Sequence, residues 1–205
     1  DNVPDKYQIR IKYAAAANGT VTGTTEEFYT VKTFDVAEDG TISNVQDNPA
    51  TPKAEVEAKA NDGYRFVDWT NGENHYETIE VLKKLKISED TTFTANFTEK
   101  EDLHYEVHYY YDDVEDEDSK VIKDDGKFGA EISYTANTTS TYEGKNYVLE
   151  KVEKPSNGII TTTKENNVVN VYYTLDADGP DNKPDNVPDK YQIRIKYEAA
   201  ANGTV

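Results

Sequence analysis

The first twenty-one residues of this 205-residue chain, DNVPDKYQIRIKYAAAANGTV, return from Asp185 to Val205 with Glu198 in place of Ala14 as the one difference. Chance does not place so many identical residues at matching offsets, so a second copy of whatever begins at Asp1 begins at Asp185, 184 residues later. Solenoid repeats have periods of roughly 20 to 50 residues, whereas this period is long enough for one or two complete domains. The chain therefore reads as one repeat of an array of independently folded modules, followed by the opening edge of the next. A lone strand cannot bury its apolar face, so residues 190–205 are expected to be disordered or paired with another molecule.

Within the repeated segment, Tyr7, Ile9, Ile11 and Tyr13 alternate with Gln8, Arg10 and Lys12, the period-two pattern of a strand with one face on a core. The Asn18-Gly19 pair predicts a tight turn after it, since both residues tolerate positive φ. Further strands are predicted at 28–34, 55–60, 64–69 and 91–98, where Phe93, Ala95 and Phe97 alternate with polar residues. The stretch from Ile79 to Ile87 fits a short helix only loosely, through Ile79, Leu82 and Leu85. After the polar run 99–102 a fresh alternation opens with Leu103, Tyr105, Val107, Tyr109 and Tyr111, which puts a domain boundary near residue 101. Strands around Val121-Ile122, Ile132–Tyr134, Tyr147–Val152 and Val168–Tyr173 follow, with a turn from Gly126 to Gly129. The Asp/Pro-rich stretch 175–189 lacks apolar periodicity and reads as a linker.

Cysteine and methionine are absent while tyrosine occurs 16 times, so disulfides and thiolate zinc sites are ruled out and pleated, half-exposed strands are favoured. Two modules of about 90 residues are able to bury roughly 60 to 65% of their unfolded surface, enough to fold without staples. The fold class expected is mostly β, of the α+β, β-grasp-like kind, with two small antiparallel or mixed-sheet modules set end to end as an elongated rod: 1–101, then 102–174, the linker 175–189 and the opening of the next copy, 190–205. With 40 acidic against 22 basic residues the net charge is −18, which repels nucleic acid and anionic membrane. No run approaches the roughly 18 apolar residues of a spanning helix, so no membrane insertion is expected.

Two resemblances sharpen this. The strings NDGYRFVDWT and EDTTFTANF place Gly63, Tyr64, Phe66, Trp69, Phe93, Ala95 and Phe97 as in the internalin-type B-repeat of Gram-positive surface proteins, which residues 7–98 resemble. Here the segment between Gly40 and Pro52 is longer than in that family. Val107 to Asp112, Gly126-Lys127-Phe128-Gly129, Tyr147-Val148-Leu149 and Val169 to Tyr173 are similar to the landmarks of a mucin-binding-protein (MucBP-type) domain, which residues 103–174 resemble. Asn146 replaces that family's glycine before the tyrosine, and the acidic stretch from Val114 to Asp118 lengthens the loop after the first strand. Both families are compact β-grasp modules. The resemblance implies the repeat unit of an extracellular adhesin anchored to the cell wall of a Gram-positive bacterium, with a mucin-like host glycoprotein or glycan and neighbouring repeats of the same chain as partners. The alternative is a stalk repeat that binds nothing.

Four constellations are candidates for chemistry. Asp181, Asp185 and Asp189 in DNKPDNVPD resemble the short calcium-binding motif of alternating acidic residues, with Asp176 and Asp178 as additional oxygens; calcium takes roughly six to eight. Lys183 stands where an oxygen is expected and Asn186 where the motif has its turn glycine, and a proline-stiffened acidic spacer explains the same residues without metal. His104, Glu106 and His108 share the outward face of one strand, at a spacing able to grip a transition metal or simply to face solvent. Tyr109 and Tyr111 follow the apolar phase, which leaves Tyr110 and Tyr172 as the outward tyrosines offering flat amphipathic area to a ligand, while Trp69 takes a core position. Lys12 and Asn96 lie on opposite terminal strands of the first module, as in intramolecular Lys–Asn crosslinks, yet on their polar phases. No nucleophile–base pair stands out, and an enzyme is not expected.

Overall fold

A computed structural model describes residues 3–176, 187–193, 195–199, 201 and 203–204. The chain divides into two compact units, Asp1–Lys100 and Glu101–Val205, and is mostly β.

The first unit contains β1 (Gln8–Ala15), β2 (Gly19–Gly23), β3 (Glu26–Thr30), β4 (Lys32–Val36), β5 (Ile42–Asp47), β6 (Val56–Ala60), β7 (Tyr64–Asn71), β8 (Asn74–Tyr76), the short helix α1 (Ile79–Leu82) and β9 (Thr91–Glu99). Its main sheet has the order β3-β1-β9-β7-β8, with β1 parallel to β9 and the other neighbours antiparallel. The alternation read in the sequence is the reason: Ile9, Ile11 and Tyr13 of β1, Phe93 and Ala95 of β9 and Trp69 of β7 all enter one core, which Leu82 of α1 closes. Trp69 is 2% exposed and meets Tyr13 edge-on at 6.0 Å. The turn after β1 does carry Asn18 at φ 71°, but the chain then runs straight into β2, which pairs with β6 apart from the main sheet. Gly23, at φ +93°, lets that pair form, because a Cβ there would meet the Glu55 carbonyl oxygen at 2.1 Å.

The single strand expected at 28–34 is instead two. Val31 separates them: its N–H donates to the Tyr7 carbonyl (2.8 Å), its carbonyl accepts from Asn48 N–H (2.9 Å), and its side chain is buried. The segment on one side of it extends the main sheet while that on the other pairs with β5, so the longer middle segment is a β4–β5 hairpin.

The second unit contains β10 (Leu103–Tyr111), β11 (Val114–Glu115), β12 (Val121–Gly126), β13 (Thr139–Tyr142), β14 (Lys145–Glu153) and β15 (Val168–Leu175). The sheet order is β11-β10-β15-β14-β13, with β12 also on β10 and with β10 parallel to β15. Each unit thus sets its opening strand parallel to its last strand at the centre of a mixed sheet, the β-grasp-like arrangement. One face, formed by Val107, Tyr111, Val169, Val171, Tyr173 and Tyr147, is buried under two loops that contribute Ile132 and Ile160. Burial pushes the Tyr173 phenol up to about 12, and its hydroxyl donates to the Asn137 carbonyl at 2.8 Å.

Two expectations change here. Ile132–Tyr134 is not a strand; a single bridge, Glu131 to Ile159, and bonds from Gly129 and Ile132 N–H to the Ile160 and Gly158 carbonyls make it half of a loop pair. Its apolar alternation serves to plug the core. The acidic stretch expected as a lengthened loop holds β11, because Asp112 and Asp113, both at positive φ (48° and 66°), make the tight reversal a two-residue hairpin needs.

Candidate functional site

The opposite face of the second sheet is uncovered by either loop. Parallel register places Glu106, His108 and Tyr110 of β10 beside Val168, Asn170 and Tyr172 of β15. Tyr110 and Tyr172 are therefore direct neighbours, and their rings stack at 4.7 Å with 17° between planes. Both are half-buried. Burial first, then the charge of Glu115 beside Tyr110 and of Glu153 beside Tyr172, raises both phenols, so each stays neutral and able to donate.

β14 extends this face through a bulge between Leu149 and Lys151. The bulge brings Lys151, rather than Glu150, into line with Tyr172, and its ammonium sits 4.4 Å from the ring centroid as a cation–π contact. Lys151 also pairs with Glu153 at 2.6 Å. Lys151 and Glu153 were not singled out from the sequence, since strict alternation counts them one residue out of phase. Next to the stacked pair lies a recess of about 370 Å³ lined by Glu153, Pro155, Asn157, Glu165, Val168 and Asn170. The Asn170 side-chain oxygen is buried there with no hydrogen-bond partner.

On the other flank, His108 sits between two carboxylates, with Nε2 3.0 Å from Glu106 Oε2 and Nδ1 2.8 Å from Glu115 Oε1. Lys120 joins Glu115 at 3.2 Å and Glu117 at 2.7 Å, and His104 lies 3.9 Å from Glu106. The hydrogen bond to His108 and the nearby positive charges hold the Glu106 carboxyl below its usual range, against burial. At Glu115 burial pulls upward, but Lys120 and His108 outweigh it and the carboxyl is again lowered. The structure thus holds His108 by short polar contacts to Glu106 and Glu115; among the described residues no group of three or more His, Cys, Asp or Glu side chains is arranged to hold a metal ion. Because both carboxyls are lowered on folding, the stability they contribute is complete above the ordinary carboxylate range and is lost as pH falls through their folded values. Hydrogen-exchange protection of β10 and β15, taken relative to the intrinsic rate at each pH, is accordingly expected to fall as pH drops below the ordinary carboxylate range, and less so in a Glu106→Gln/Glu115→Gln chain.

Asp181 and Asp185, and the side chain of Asp189, lie outside the described residues; the Asp189 backbone opens a 3-10 turn, Asp189–Tyr191. In the first unit Lys12 and Asn96 are not brought together. Lys12 is in register with Thr92 and pairs with Glu26 at 3.5 Å. The Asn96 amide donates instead to Asp68 Oδ1 (2.8 Å) and Thr70 Oγ1 (3.1 Å), while His75 Nδ1 reaches Asp68 Oδ2 at 2.6 Å. Burial opposes ionisation of Asp68, yet the bonds from His75 and Asn96 prevail and its carboxyl is lowered. A second recess, of about 310 Å³ and mostly apolar, lies against Trp69 and Phe66 beneath Ile79.

In the first unit Trp69 is buried and the β7–β9 pairing brings it opposite Ala95. Residues 29–101 match the divergent InlB B-repeat domain. That match runs from the end of β3 through β9 of the first unit, so the stacked tyrosines of the second unit lie outside it. B-repeat domains occur in surface proteins, and no helix among the described residues is long and apolar enough to cross a membrane. No curated protein matches the chain.

Proposed function

We propose that the chain is a repeat unit of a bacterial cell-surface adhesin, in which the B-repeat-like module carries and spaces a second module whose open sheet face makes weak contacts with host glycoprotein such as mucin. The observation that carries this reading is the stacked Tyr110–Tyr172 pair beside a polar recess holding an unpartnered Asn170 oxygen. Stacked phenols offer a flat apolar surface with polar edges, suited to the C–H face of a sugar ring, and the recess accepts hydroxyl donors. The similarity of residues 103–174 to a MucBP-type domain supports the same reading. The role proposed is binding: the histidine and carboxylates beside the tyrosines contact one another and Lys120. A net charge of −18 favours neutral over acidic glycans.

A single open face of this kind binds weakly, and repetition multiplies it. Effective-concentration arguments put the gain at about 10²- to 10⁴-fold when several sites engage together. Mucin and arrayed neutral glycans are expected to retain a three-repeat chain far better than one repeat, with Tyr110→Ala/Tyr172→Ala abolishing retention at both valences. If neither wild-type chain is retained, the repeat is a spacer without a ligand of its own.

A further inference from the structure

The second unit is joined to further chain on both sides: the first unit precedes β10, and residues 176–205 follow β15. A pull along the chain therefore enters this unit through the start of β10 and leaves through the end of β15. These two strands are parallel neighbours, in register from Glu106–Val168 to Tyr111–Tyr173. In a parallel pair the start of one strand and the end of the other lie at opposite ends of the ladder, so the pull slides the strands past each other along their length. Parallel ladder bonds are evenly spaced, which shares the load among them. The first unit repeats the geometry, with β1 and β9 parallel from Ile11–Thr91 to Ala15–Ala95. An antiparallel pair pulled from the start of one strand and the end of its neighbour behaves differently. Both loaded points then sit at one end of the ladder, and its bonds open one after another.

Side chains fasten both ends of the β10–β15 ladder. At its start Asn167 Nδ2 donates to the His104 carbonyl (3.2 Å) and the Glu106 N–H to the Asn167 carbonyl (2.9 Å). At its end the Asp112 N–H donates to the Tyr173 carbonyl (3.0 Å), while Asp112 Oδ1 accepts from the Leu175 N–H (3.0 Å) and the Thr174 hydroxyl (3.3 Å). Stacked rings in direct register bridge the loaded strands: Tyr110–Tyr172 at 4.7 Å and Tyr111–Tyr173 at 5.6 Å here, Tyr13–Phe93 at 5.9 Å in the first unit. Sliding offers no resting place nearby. The next register that keeps Val107, Tyr111, Val169 and Val171 on the core face is two residues away, roughly 6.6 Å, farther than a hydrogen bond stretches. The ladder must then fail as a whole. We infer that each unit is a load-bearing link, whose first and last strands form a clamp sheared by tension along the chain. This function goes beyond the binding of a glycan and does not depend on it.

The absence of cysteine lets a pair of thiol handles be placed at chosen points of the full chain for single-molecule pulling. Asp102→Cys/Val205→Cys loads the second unit through β10 and β15. Lys145→Cys/Val205→Cys loads it instead through the start of β14 and the end of β15, the end at which Tyr147 pairs with Leu175. Asp102 and Lys145 are both exposed, so the two chains share one fold, which equal melting midpoints check, and differ in the direction of the load. Forced unfolding follows the barrier along the pull and not the equilibrium stability, so at one loading rate the β10–β15 pull is expected to rupture at about twofold higher force or more. Asp1→Cys/Asp102→Cys, which loads β1 and β9, is expected to reach the same high range. Equal forces for the two directions through the second unit, or a lower force through β10 and β15, overturn the inference. A first unit that breaks in the low range overturns it for that unit. A chain that retains no glycan still gives this comparison, so failure of the binding reading and failure of this one are told apart.

Discussion

Phe93→Ala is expected to destabilise the first unit by about 3–5 kcal/mol, the usual cost of removing a buried aromatic ring from a core that cannot collapse around the void. Phe93 is fully buried on β9, stacked on Tyr13 at 5.9 Å and edge-on to Tyr76 at 5.7 Å. Those rings come from the parallel neighbour β1 and from β8 beyond β7, so the hole opens where three strands meet and no single side chain is placed to fill it. Domains of this size have total stabilities of about 5–15 kcal/mol, and each kcal/mol moves the melting midpoint by about 4–8 °C. A fall of 12 °C or more follows from those figures. Trp69, the one tryptophan of the chain, sits in the same core and reports the transition by its emission. Hydrogen exchange in β10, β14 and β15 is expected to stay at the wild-type rate, because the second unit buries its apolar residues in a separate cluster. Matching losses of protection in both units would show that they share a core.

That separation was legible in the sequence because it rests on period-two alternation, which survives wherever a strand has one wet face. Ile9, Ile11 and Tyr13, or Val107 and Tyr111, announce their sheet face before any partner is known. The two copies of the opening sequence show what such a pattern does and does not encode. A 3-10 turn and a bond from the side chain of the glutamine that follows it form in both, since all their partners lie within five residues, whereas the strand forms only where β3 and β9 supply its ladder. Partners are non-local information. The same limit explains the misreadings: alternation at Ile132–Tyr134 fits a strand as well as it fits a loop plugging a core, and nothing local at Val31 says that the chain changes sheets there. The site was legible in part. Tyr110 and Tyr172 follow from phase alone, and their stacking follows from parallel register, which no single strand reveals. Lys151 entered the site through a bulge, and His108 through a hairpin whose turn residues are two aspartates rather than the usual Asn-Gly.

Asn167 left no signal of any kind, and its replacement by aspartate is expected to be the most damaging conservative change in the second unit. The residue is 2% exposed just before β15. Its Nδ2 donates to the carbonyls of Thr161 (2.8 Å) and His104 (3.2 Å), and its Oδ1 accepts from the Thr161 N–H (2.8 Å) and hydroxyl (3.0 Å). One amide thereby fixes the loop that delivers Ile160 to the core and fastens it to the start of β10. Its backbone carbonyl adds a bond from Glu106 N–H at 2.9 Å. Aspartate keeps the shape and the accepting half but turns the donating half into a carboxylate oxygen facing two carbonyl oxygens in a dry site. Two hydrogen bonds are lost and a buried charge is left beside like partial charges, a cost of about 3 kcal/mol or more. The sign of the pH dependence separates this from simple loss of packing. Such a carboxyl has its folded pKa raised, so the penalty is complete at neutral pH and shrinks as pH falls through the folded value toward the ordinary aspartate range, where the protonated acid again donates one bond. The difference in thermal midpoint between Asn167→Asp and wild type is therefore expected to narrow on acidification, even while Glu106 and Glu115 make both proteins less stable. A gap that stays constant with pH, or that Asn167→Ala reproduces with the same profile, would mean that this amide fills space and does not hold the loop by its donors.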